Sequence, residues 1–388
     1  MHSRILLLSL VITAPFHLLG KQQPTFGFTS EVTALKLVES TAALSQARLH
    51  FASTSVEKYA LFAGGGNAAG LLQYSDVDIF DAHTAVWSTA SLSQARSRLA
   101  GTSVGDYALF AGGSINNFID GSRDSNDVDI FDAVTGLWSI ATLSEARPDL
   151  AATSAGGYAL FAGGSGRSST VDIFDSLTRK WSTAELSQGR ASPAATTVGD
   201  LAIFAGGSGS GNGFSSVVDI FDSRTGVWST STLSEGRVEL QATSVGNYAL
   251  IAGGRADNTG ISDVVDIFDE STGLWSTANL SEKRTDLAAT TVGNYAIFGG
   301  GGFGGGLTGS NVVDIFDANT GLWSTATLVK GRYLLSATSV GKYALFGGGF
   351  GDGMESAAID IFALIPEPST LLLSLTVFAA LLHRRATR

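Results

Sequence analysis

The sequence predicts an all-β protein, and three observations carry this prediction. One unit recurs seven times, at intervals of 43 to 51 residues. Each unit holds four short apolar or β-branched runs separated by turn signals, which is the pattern of a four-stranded antiparallel sheet. Glycine is abundant, with 48 residues, while charged residues make up only 15% of the chain. Because four-stranded units of this length are typical blades of a β-propeller, we expect a ring of seven blades.

The repeat has a constant order of motifs. It begins with L-S-[EQ]-x-R and L-A-A-T-S-V-G-x, continues with Y-A-L-F-A-G-G and a variable stretch, and ends with V-D-I-F-D and x-x-T-G-x-W-S-T-A. The glycine pairs begin at Gly64, Gly112, Gly163, Gly206, Gly253, Gly300 and Gly348. The tryptophans are Trp87, Trp138, Trp181, Trp228, Trp275 and Trp323. The seventh unit therefore lacks a tryptophan strand.

The missing strand is found at the start of the chain. The segment "LVESTAALSQAR" aligns with "AVWSTASLSQAR", so that Glu39 takes the tryptophan position and residues 40–42 match residues 88–90. The beginning of the chain thus supplies a fourth strand, and the seventh unit supplies the other three. Pairing the two ends would close the ring and leave no open interface between blades. We therefore predict a propeller over residues 33–363, with its last blade closed by an N-terminal strand.

These motifs resemble the Kelch family of propellers. The resemblance rests on the glycine pair after an aromatic-apolar strand, on an aromatic-Asp pair such as Phe80-Asp81, and on a tryptophan six residues later. It covers about residues 33 to 363 and implies the Kelch-type fold. The chain departs from the family in carrying Phe where Tyr usually precedes the Asp. Within the repeats, Leu201 replaces the tyrosine of the other second strands.

Composition excludes several kinds of function. The net charge of −11 argues against binding to nucleic acid, which normally requires a basic face. With no cysteine, the chain has no disulfide, thiolate metal site or cysteine nucleophile. Five histidines occur, and only His50 and His83 lie in the repeat region, too few for a histidine metal cluster. We expect no metal and no cofactor.

The first residues have the features of an export signal. Arg4 precedes an apolar run that Pro15 and His17 interrupt, and the whole stretch has signal-peptide length. No clear small-x-small cleavage site follows, which places the cut only between about residues 19 and 25. We therefore predict a signal peptide over residues 1–20 and a linker over residues 21–32. A buried N-terminal strand is the alternative, although this stretch does not resemble the repeats.

The last residues, 364–388, have the features of a temporary membrane anchor. Residues 369–382 are apolar but shorter than the roughly 20 residues of a membrane-spanning helix, and the basic residues Arg384, Arg385 and Arg388 follow them. Together with Pro366, Glu367 and Pro368, this order resembles the PEP-CTERM sorting signal. That resemblance implies a short hydrophobic helix, processing by an exosortase-type membrane protease, and a location in the cell envelope or outside the cell. An ordinary tail anchor would explain the helix but not the proline-flanked glutamate.

The order of the strands predicts two different faces. The turns between strands 1 and 2 and between strands 3 and 4 lie on one face and are short. The loops between strands 2 and 3, of 6 to 14 residues, lie on the other face and share little sequence. Variable loops on a rigid ring are where a binding surface is most easily built.

One arginine per unit lies in the connection from strand 4 to the next strand 1, on the side of the variable loops. These residues are Arg48, Arg96, Arg147, Arg190, Arg237, Arg284 and Arg332. One interpretation makes them a ring of donors for carboxylate, sulfate or sugar groups. The other, which is favoured because each blade repeats the residue, makes each arginine a structural tie to an Asp or a carbonyl group. The aspartates of V-D-I-F-D are interpreted in the same way, as turn or ion-pair residues.

Two loops were candidates for ligand binding. Residues 120–129 are acidic, and Asp120, Asp124 and Asp127 could share a Ca²⁺, but they lack the EF-hand spacing, and a solvated loop is the favoured interpretation. The glycine-rich stretch from Gly299 follows a strand and precedes no helix, so it fails the context of a phosphate-binding loop.

Catalysis normally requires a set of residues that breaks the repeat, and the sequence shows no such base, nucleophile or metal set. A copper-radical oxidase would need cysteine and histidine, and a sialidase-like enzyme would need an irregular arginine cluster. The leading hypothesis is an exported, non-catalytic binding module for a protein or a polysaccharide. A structural envelope or matrix protein is the second hypothesis, and a glycan-active enzyme is the third. Tyr74, Phe118, Phe214 and Phe303, in the variable loops, slightly favour binding.

Overall fold

A computed structural model describes residues 33–38, 42–117, 121–209, 213–257, 259–304 and 308–366. Within it, Thr33–Ile365 forms one compact unit. The predicted signal peptide, the linker, the C-terminal hydrophobic helix and two residues of the sorting motif, Glu367 and Pro368, lie outside the described residues. Pro366 is the last residue of a strand. No helix among the described residues is long and apolar enough to cross a membrane.

The fold is all-β and contains seven four-stranded antiparallel sheets within the described residues, which we name A to G. In sheets A to F the strand order follows the chain, so each sheet is a meander. The strands of sheet A are Ala52–Val56, Tyr59–Ala63, Asp76–Asp81 and Val86–Ser91. Those of sheet B are Ala100–Val104, Tyr107–Ala111, Asp127–Asp132 and Leu137–Thr142. Those of sheet C are Ala151–Ala155, Tyr158–Ala162, Thr170–Asp175 and Lys180–Glu185. Sheet D contains Ala194–Val198, Leu201–Ala205, Val217–Asp222 and Val227–Thr232. Sheet E contains Gln241–Val245, Tyr248–Ala252, Val264–Asp269 and Leu274–Asn279. Sheet F contains Ala288–Val292, Tyr295–Gly299, Val312–Asp317 and Leu322–Thr327.

Sheet G joins the two ends of the repeat region. Its strands are Ser336–Val340, Tyr343–Gly347, Ile359–Pro366 and, at the edge beside Ile359–Pro366, the N-terminal strand Thr33–Val38. An antiparallel bridge joins Ala43 to Ala358, which is the position where Ser91 faces Asp76 in sheet A. The predicted pairing of an N-terminal strand with the seventh unit is therefore present, in the predicted register. The described strand, Thr33–Val38, begins earlier than the fourth strands of the other sheets, since Val86, the first residue of that strand in sheet A, aligns with Val38.

The seven sheets follow one another in a circuit. The first strand of each sheet, which we call the inner strand, contacts the inner strands of both neighbouring sheets, and sheet G contacts sheet A. Hydroxyl groups join some of these strands, with Oγ1 of Thr153 2.7 Å from Oγ1 of Thr197 and Oγ of Ser53 2.6 Å from Oγ of Ser336. This arrangement is propeller-like, with the inner strands at the hub.

The core lies between neighbouring sheets. Second strands have the burial expected of central strands, and Phe62 and Phe110 are fully buried. Phe131 of sheet B packs against Trp138 of its own sheet, with ring centroids 5.2 Å apart, and against Tyr59 of sheet A at 5.8 Å. The same tyrosine–phenylalanine contact recurs between other neighbouring sheets, for example between Tyr158 and Phe221. The motif residues of the repeat are thus mainly packing residues.

The glycine pairs hold neighbouring sheets together. Gly64 and Gly65 have φ angles of 70° and 99°, in the region that favours glycine. The backbone N–H of Gly65 donates to the carbonyl oxygen of Arg96 at 2.9 Å, and that arginine leads into the next sheet. A Cβ on Gly64 would lie 2.7 Å from the same oxygen, so a side chain does not fit there.

The variable loops between strands 2 and 3 contain short elements of their own. These are the hairpins of Ser114–Asn117 with Gly121–Asp124, of Arg255–Ala256 with Gly260–Ile261 and of Phe350–Gly351 with Met354–Glu355, and the 3-10 turn Ser165–Arg167. The short strand Arg237–Val238, in the connection that precedes sheet E, pairs with Arg255–Ala256. We call the side of the molecule that carries these loops the loop face, and the opposite side the turn face.

Candidate functional site

The seven arginines of the repeat are buried rather than displayed. Each is 0 to 1% exposed, and each guanidinium group forms an ion pair with the first aspartate of V-D-I-F-D in the sheet that follows it. Nη2 of Arg48, for example, lies 2.5 Å from Oδ2 of Asp78 and donates to the carbonyl oxygen of Phe62 at 2.9 Å. The pairs are Arg48–Asp78, Arg96–Asp129, Arg147–Asp172, Arg190–Asp219, Arg237–Asp266, Arg284–Asp314 and Arg332–Asp360.

Each of these aspartates also fixes the start of the same connection. The backbone N–H of Ser45, three residues before Arg48, donates to Oδ1 of Asp78 at 2.9 Å. In sheet G, where Val329 replaces the serine, the backbone N–H still donates to Asp360 at 2.7 Å. Burial lowers the pKa of the Arg48 guanidinium, opposed by the charge of Asp78. The arginines therefore act as structural ties, and a donor ring built from these side chains is incorrect because their polar atoms face the interior.

The last aspartate of V-D-I-F-D has a different role. Oδ1 of Asp81 accepts hydrogen bonds from the backbone N–H groups of His83 and Thr84, at 2.9 and 3.2 Å, and so forms the turn between strands 3 and 4. The pKa of Asp81 is lowered by its hydrogen bond with Lys58 and by these N–H groups. The two aspartates of the motif thus divide the two roles that the sequence predicted for them.

One position of the repeat, two residues after each arginine, varies in residue type between the units. These seven residues, which we call the hub ring, lie two residues before the inner strands begin. All seven have positive φ angles, from 52° to 60°, although none is glycine. They are His50, Arg98, Asp149, Ser192, Glu239, Asp286 and Leu334.

Backbone hydrogen bonds run from one member of the hub ring to the next. The N–H of Arg98 donates to the carbonyl oxygen of His50 at 2.8 Å, and that of Asp149 donates to Arg98 at 3.1 Å. Further bonds of this kind join Ser192 to Asp149 at 2.8 Å and Asp286 to Glu239 at 3.2 Å. The seven side chains therefore occupy equivalent places around the hub, on the loop face, while their chemistry differs from sheet to sheet.

Charge is distributed unevenly around the hub ring. Nη1 of Arg98 lies 3.6 Å from Oδ2 of Asp149. Glu239 accepts hydrogen bonds from Arg255 at 3.2 Å and from the hydroxyl group of Thr285 at 2.7 Å. Acidic residues thus occupy the side of sheets C, E and F, whereas His50 and Arg98 occupy the side of sheets A and B.

Two members of the hub ring have strongly shifted pKa values. Burial, with a smaller effect from the charge of Glu239, raises the pKa of Asp286 to about 7, and Arg255 partly opposes this. Burial and the nearby charge of Arg98 lower the pKa of His50 to about 4, so the imidazole is neutral at pH 7. A carboxyl group that titrates near neutrality beside a second carboxylate is a common feature of functional sites.

A cavity lies among the inner strands below this region. It has a volume of about 280 Å³ and is lined by the first residues of inner strands from all seven sheets. Most of these residues are small, such as Ala52, Gly101 and Ala152. The hub-ring residues lie along the chain just before the residues that line this cavity.

The variable loops surround the hub ring and bond to one another. The backbone N–H of Asn116 donates to the side chain of Gln73 in the neighbouring loop at 2.7 Å. The backbone N–H of Ala68 donates to Glu355 at 2.7 Å, and that of Phe214 donates to Asp257 at 2.7 Å. The loop face is therefore a connected surface rather than a set of separate loops.

The loop residues singled out from the sequence are scattered over this face. Phe303 is 47% exposed, Tyr74 is half-buried, and Phe214 lies 5.4 Å from the guanidinium carbon of Arg255. Phe118 lies outside the described residues. Phe303, Tyr74 and Phe214 belong to the loops of three different sheets, F, A and D, so these three do not form one aromatic cluster.

In the acidic loop, Oδ2 of Asp124 accepts a hydrogen bond from Ser165 at 3.3 Å, and Asp127 is bonded to Ser125 at 3.0 Å; Asp120 lies outside the described residues. Among the described residues, no group of three or more acidic or histidine side chains is arranged to hold a metal.

The sequence contained a signal for the hub ring that its regular motifs concealed. The residue two positions after the arginine is His, Arg, Asp, Ser, Glu, Asp and Leu in the seven units, and the residue before it also varies, whereas the arginine and the following strand are nearly constant. In the sequence, a short variable stretch looks like tolerated drift, and only the fold brings its seven copies together.

Comparisons with known proteins concern the fold alone. No protein-family model matches the chain, and no curated protein matches it. Among solved structures, one titled "Structure of YjhT" is similar, with a TM-score of 0.53 and 15% sequence identity over 82% of this chain and 95% of that chain. At this identity, the likeness supports an all-β fold built from four-stranded antiparallel sheets, and it says nothing about activity.

Proposed function

We propose that this chain is a seven-bladed Kelch-type β-propeller that is exported and acts as a non-catalytic binding module. The fold part of the proposal is supported by the circuit of seven sheets, the glycine pairs and the tryptophan strands. The export part is supported by the sequences of the two ends, which resemble a signal peptide and a PEP-CTERM sorting signal. An exosortase-type protease would process the second of these at the membrane.

The hub ring is the observation that carries the binding function. The constant residues of the repeat pack in the core, form turns or form buried ion pairs, so their conservation between units has a structural explanation. The hub ring and the variable loops both change from sheet to sheet, and both lie on the loop face. We propose that this face binds a protein or a polysaccharide, with the ligand placed over the hub ring.

A binding screen against glycans and polysaccharides, with the purified protein, tests this function. The matched variant is the pair Glu239→Gln and Asp286→Asn, which keeps the shape of the hub ring and removes two of its three acidic groups, leaving Asp149. The control is Asp106→Asn, in an exposed turn on the turn face. Binding that the control retains and the paired variant loses would support the proposal.

A structural role in the envelope or in extracellular matrix is the second candidate function. It is favoured by the regularity of the scaffold, which needs no ligand to explain it. Absence of binding to every glycan and to an extract of envelope proteins would favour this role over the binding function. The arginines are unsuitable for this test, because their replacement would disrupt the buried ion pairs.

A further inference from the structure

Apolar side chains are exposed at one level around the turn face. In sheets A, B, D, E and F the first residue of the fourth strand is Val or Leu, and it is 59 to 69% exposed. Sheet C has Lys180 at this position but exposes Leu177 in the adjoining turn to 92%, and sheet B adds Val134 at 72%. We call these residues the turn-face rim: Val86, Val134, Leu137, Leu177, Val227, Leu274 and Leu322.

The rim is a ring rather than a patch. Each of its fourth-strand members faces the turn-forming aspartate of its sheet, as Val86 faces Asp81 and Leu274 faces Asp269. Single exposed apolar residues are ordinary on a protein surface. Here every one of sheets A to F exposes at least one apolar side chain in or beside the turn between its strands 3 and 4. A flat surface placed against the turn face would meet these turns.

Sheet G has no turn at this level, because its third strand continues. Ala363 faces Tyr343 where Asp81 faces Tyr59 in sheet A. The strand runs three residues further to Pro366, and Ile365 is 39% exposed. The chain therefore leaves the described structure at the turn face. The N-terminal strand Thr33–Val38 lies beside this strand at the edge of sheet G.

The sequence beyond Pro366 defines what lies near this face. The apolar run of residues 369–382 begins three residues after Pro366, and three basic residues follow it. Three residues span at most about 10 Å, so a bilayer that held this run would lie close to the turn face. Such a short tether gives weak surface contacts a high effective concentration.

We propose that the turn face rests on the membrane while the C-terminal segment is anchored there, with the turn-face rim at the lipid headgroups and the loop face directed away. This rests on the anchor part of the proposed function. The turn face also carries both signs of charge, among them Lys58, Lys342, Glu57 and Asp106. A bilayer interface accommodates such a mixture of exposed apolar and charged side chains, and a convex protein partner could not touch the whole circumference at once.

The natural absence of cysteine makes the test direct, since single cysteines can be placed at will. The variants are Leu177→Cys and Leu137→Cys on the rim and Leu72→Cys on the loop face, where Leu72 is 52% exposed. Each full-length variant is labelled with a polarity-sensitive nitrobenzoxadiazole dye. It is then reconstituted into vesicles of phosphatidylethanolamine and phosphatidylglycerol, with and without lipids that carry a doxyl quencher at the headgroup end of the acyl chain.

We expect quencher-dependent loss of fluorescence at the two rim positions and none at Leu72. The proposed orientation would be overturned, with the anchor intact, if the protein floated with the vesicles but the quenching pattern differed. Such patterns are equal quenching at all three positions, quenching only at Leu72, or no quenching at all. Failure of the full-length protein to float with the vesicles would refute the anchor itself, and the orientation with it.

Discussion

The buried Arg–Asp pairs give a prediction whose size can be worked out from the structure. In sheet B, Asp129 is 3% exposed and Arg96 is 0% exposed, with Oδ2 and Nη2 2.6 Å apart. Asp129 also accepts a hydrogen bond from the backbone N–H of Ser93 at 2.7 Å. Asp129→Ala would leave a buried guanidinium without its counter-charge, which costs about 3–5 kcal/mol, and would remove the partner of a buried N–H, at about 1 kcal/mol.

The expected loss, about 4–6 kcal/mol, is a large part of the 5–15 kcal/mol that stabilises a typical protein. Urea denaturation followed by tryptophan fluorescence measures it. The matched control is Asp132→Ala, in the same V-D-I-F-D motif. Asp132 accepts its hydrogen bonds from the N–H groups of Val134 and Thr135 in an exposed turn, so its loss should cost only about 1 kcal/mol.

A double variant separates the ion pair from simple packing. Arg96→Met with Asp129→Leu removes both charges and should recover most of the stability, because apolar pairs of similar volume replace buried ion pairs with little cost. If Asp129→Ala were no more destabilising than Asp132→Ala, or if the double variant were as unstable as the single one, the assignment of these residues as structural ties would be wrong.

Three further predictions concern stability. The pKa of Asp286 is raised from 3.8 to about 7, so its ionisation destabilises the folded state by up to about 4 kcal/mol as the pH rises through this window. Asp286→Asn should therefore be more stable than the parent protein at pH 8 but not at pH 4, as urea denaturation at both pH values would show. Leu201→Tyr should restore the edge-on contact with the phenylalanine of the next sheet and add about 0.5–1.5 kcal/mol, while Tyr158→Leu should lose a similar amount, as calorimetry would show. Deletion of residues 33–43 should lower the unfolding temperature sharply by removing the strand that completes sheet G, and unchanged thermal unfolding would contradict that role.

The sequence predicted most of the repeat correctly because the repeat reports local physics. Turn residues such as Gly105 and strand motifs such as Y-A-L-F-A mark the strands in every unit, and the shared sheet G followed from aligning Glu39 with the tryptophans. The start of that strand was less predictable: Thr33–Val38 lies earlier than the repeat implies. Its partner, Ile359–Pro366, has no turn to stop it, so pairing extends past the usual end.

The burial of the arginines could not be read from spacing, though the sequence argument favoured a structural role. Whether a polar side chain such as that of Arg284 faces solvent or the interior depends on a partner in another strand, here Asp314, thirty residues away along the chain. The pattern supplied both residues in every unit, and seven constant arginines matched by seven constant aspartates is itself a pairing signal. The hub ring was missed for the opposite reason, since its members vary.

Backbone conformation gives independent grounds for assigning a role to the hub ring. A side chain at positive φ strains the backbone, whereas glycine adopts it freely. This chain uses glycine at the other left-handed positions in most turns, as at Gly105 and Gly246, and has 48 glycines in all. At the seven hub-ring positions, by contrast, residues with side chains have positive φ angles, among them Arg98 and Leu334. The backbone is therefore strained at this position in every sheet. Packing does not explain their diversity, because the surrounding backbone is the same in each unit. What differs between the units at the hub is therefore the side chain, which supports the proposed ligand site above the inner strands rather than at the buried arginines.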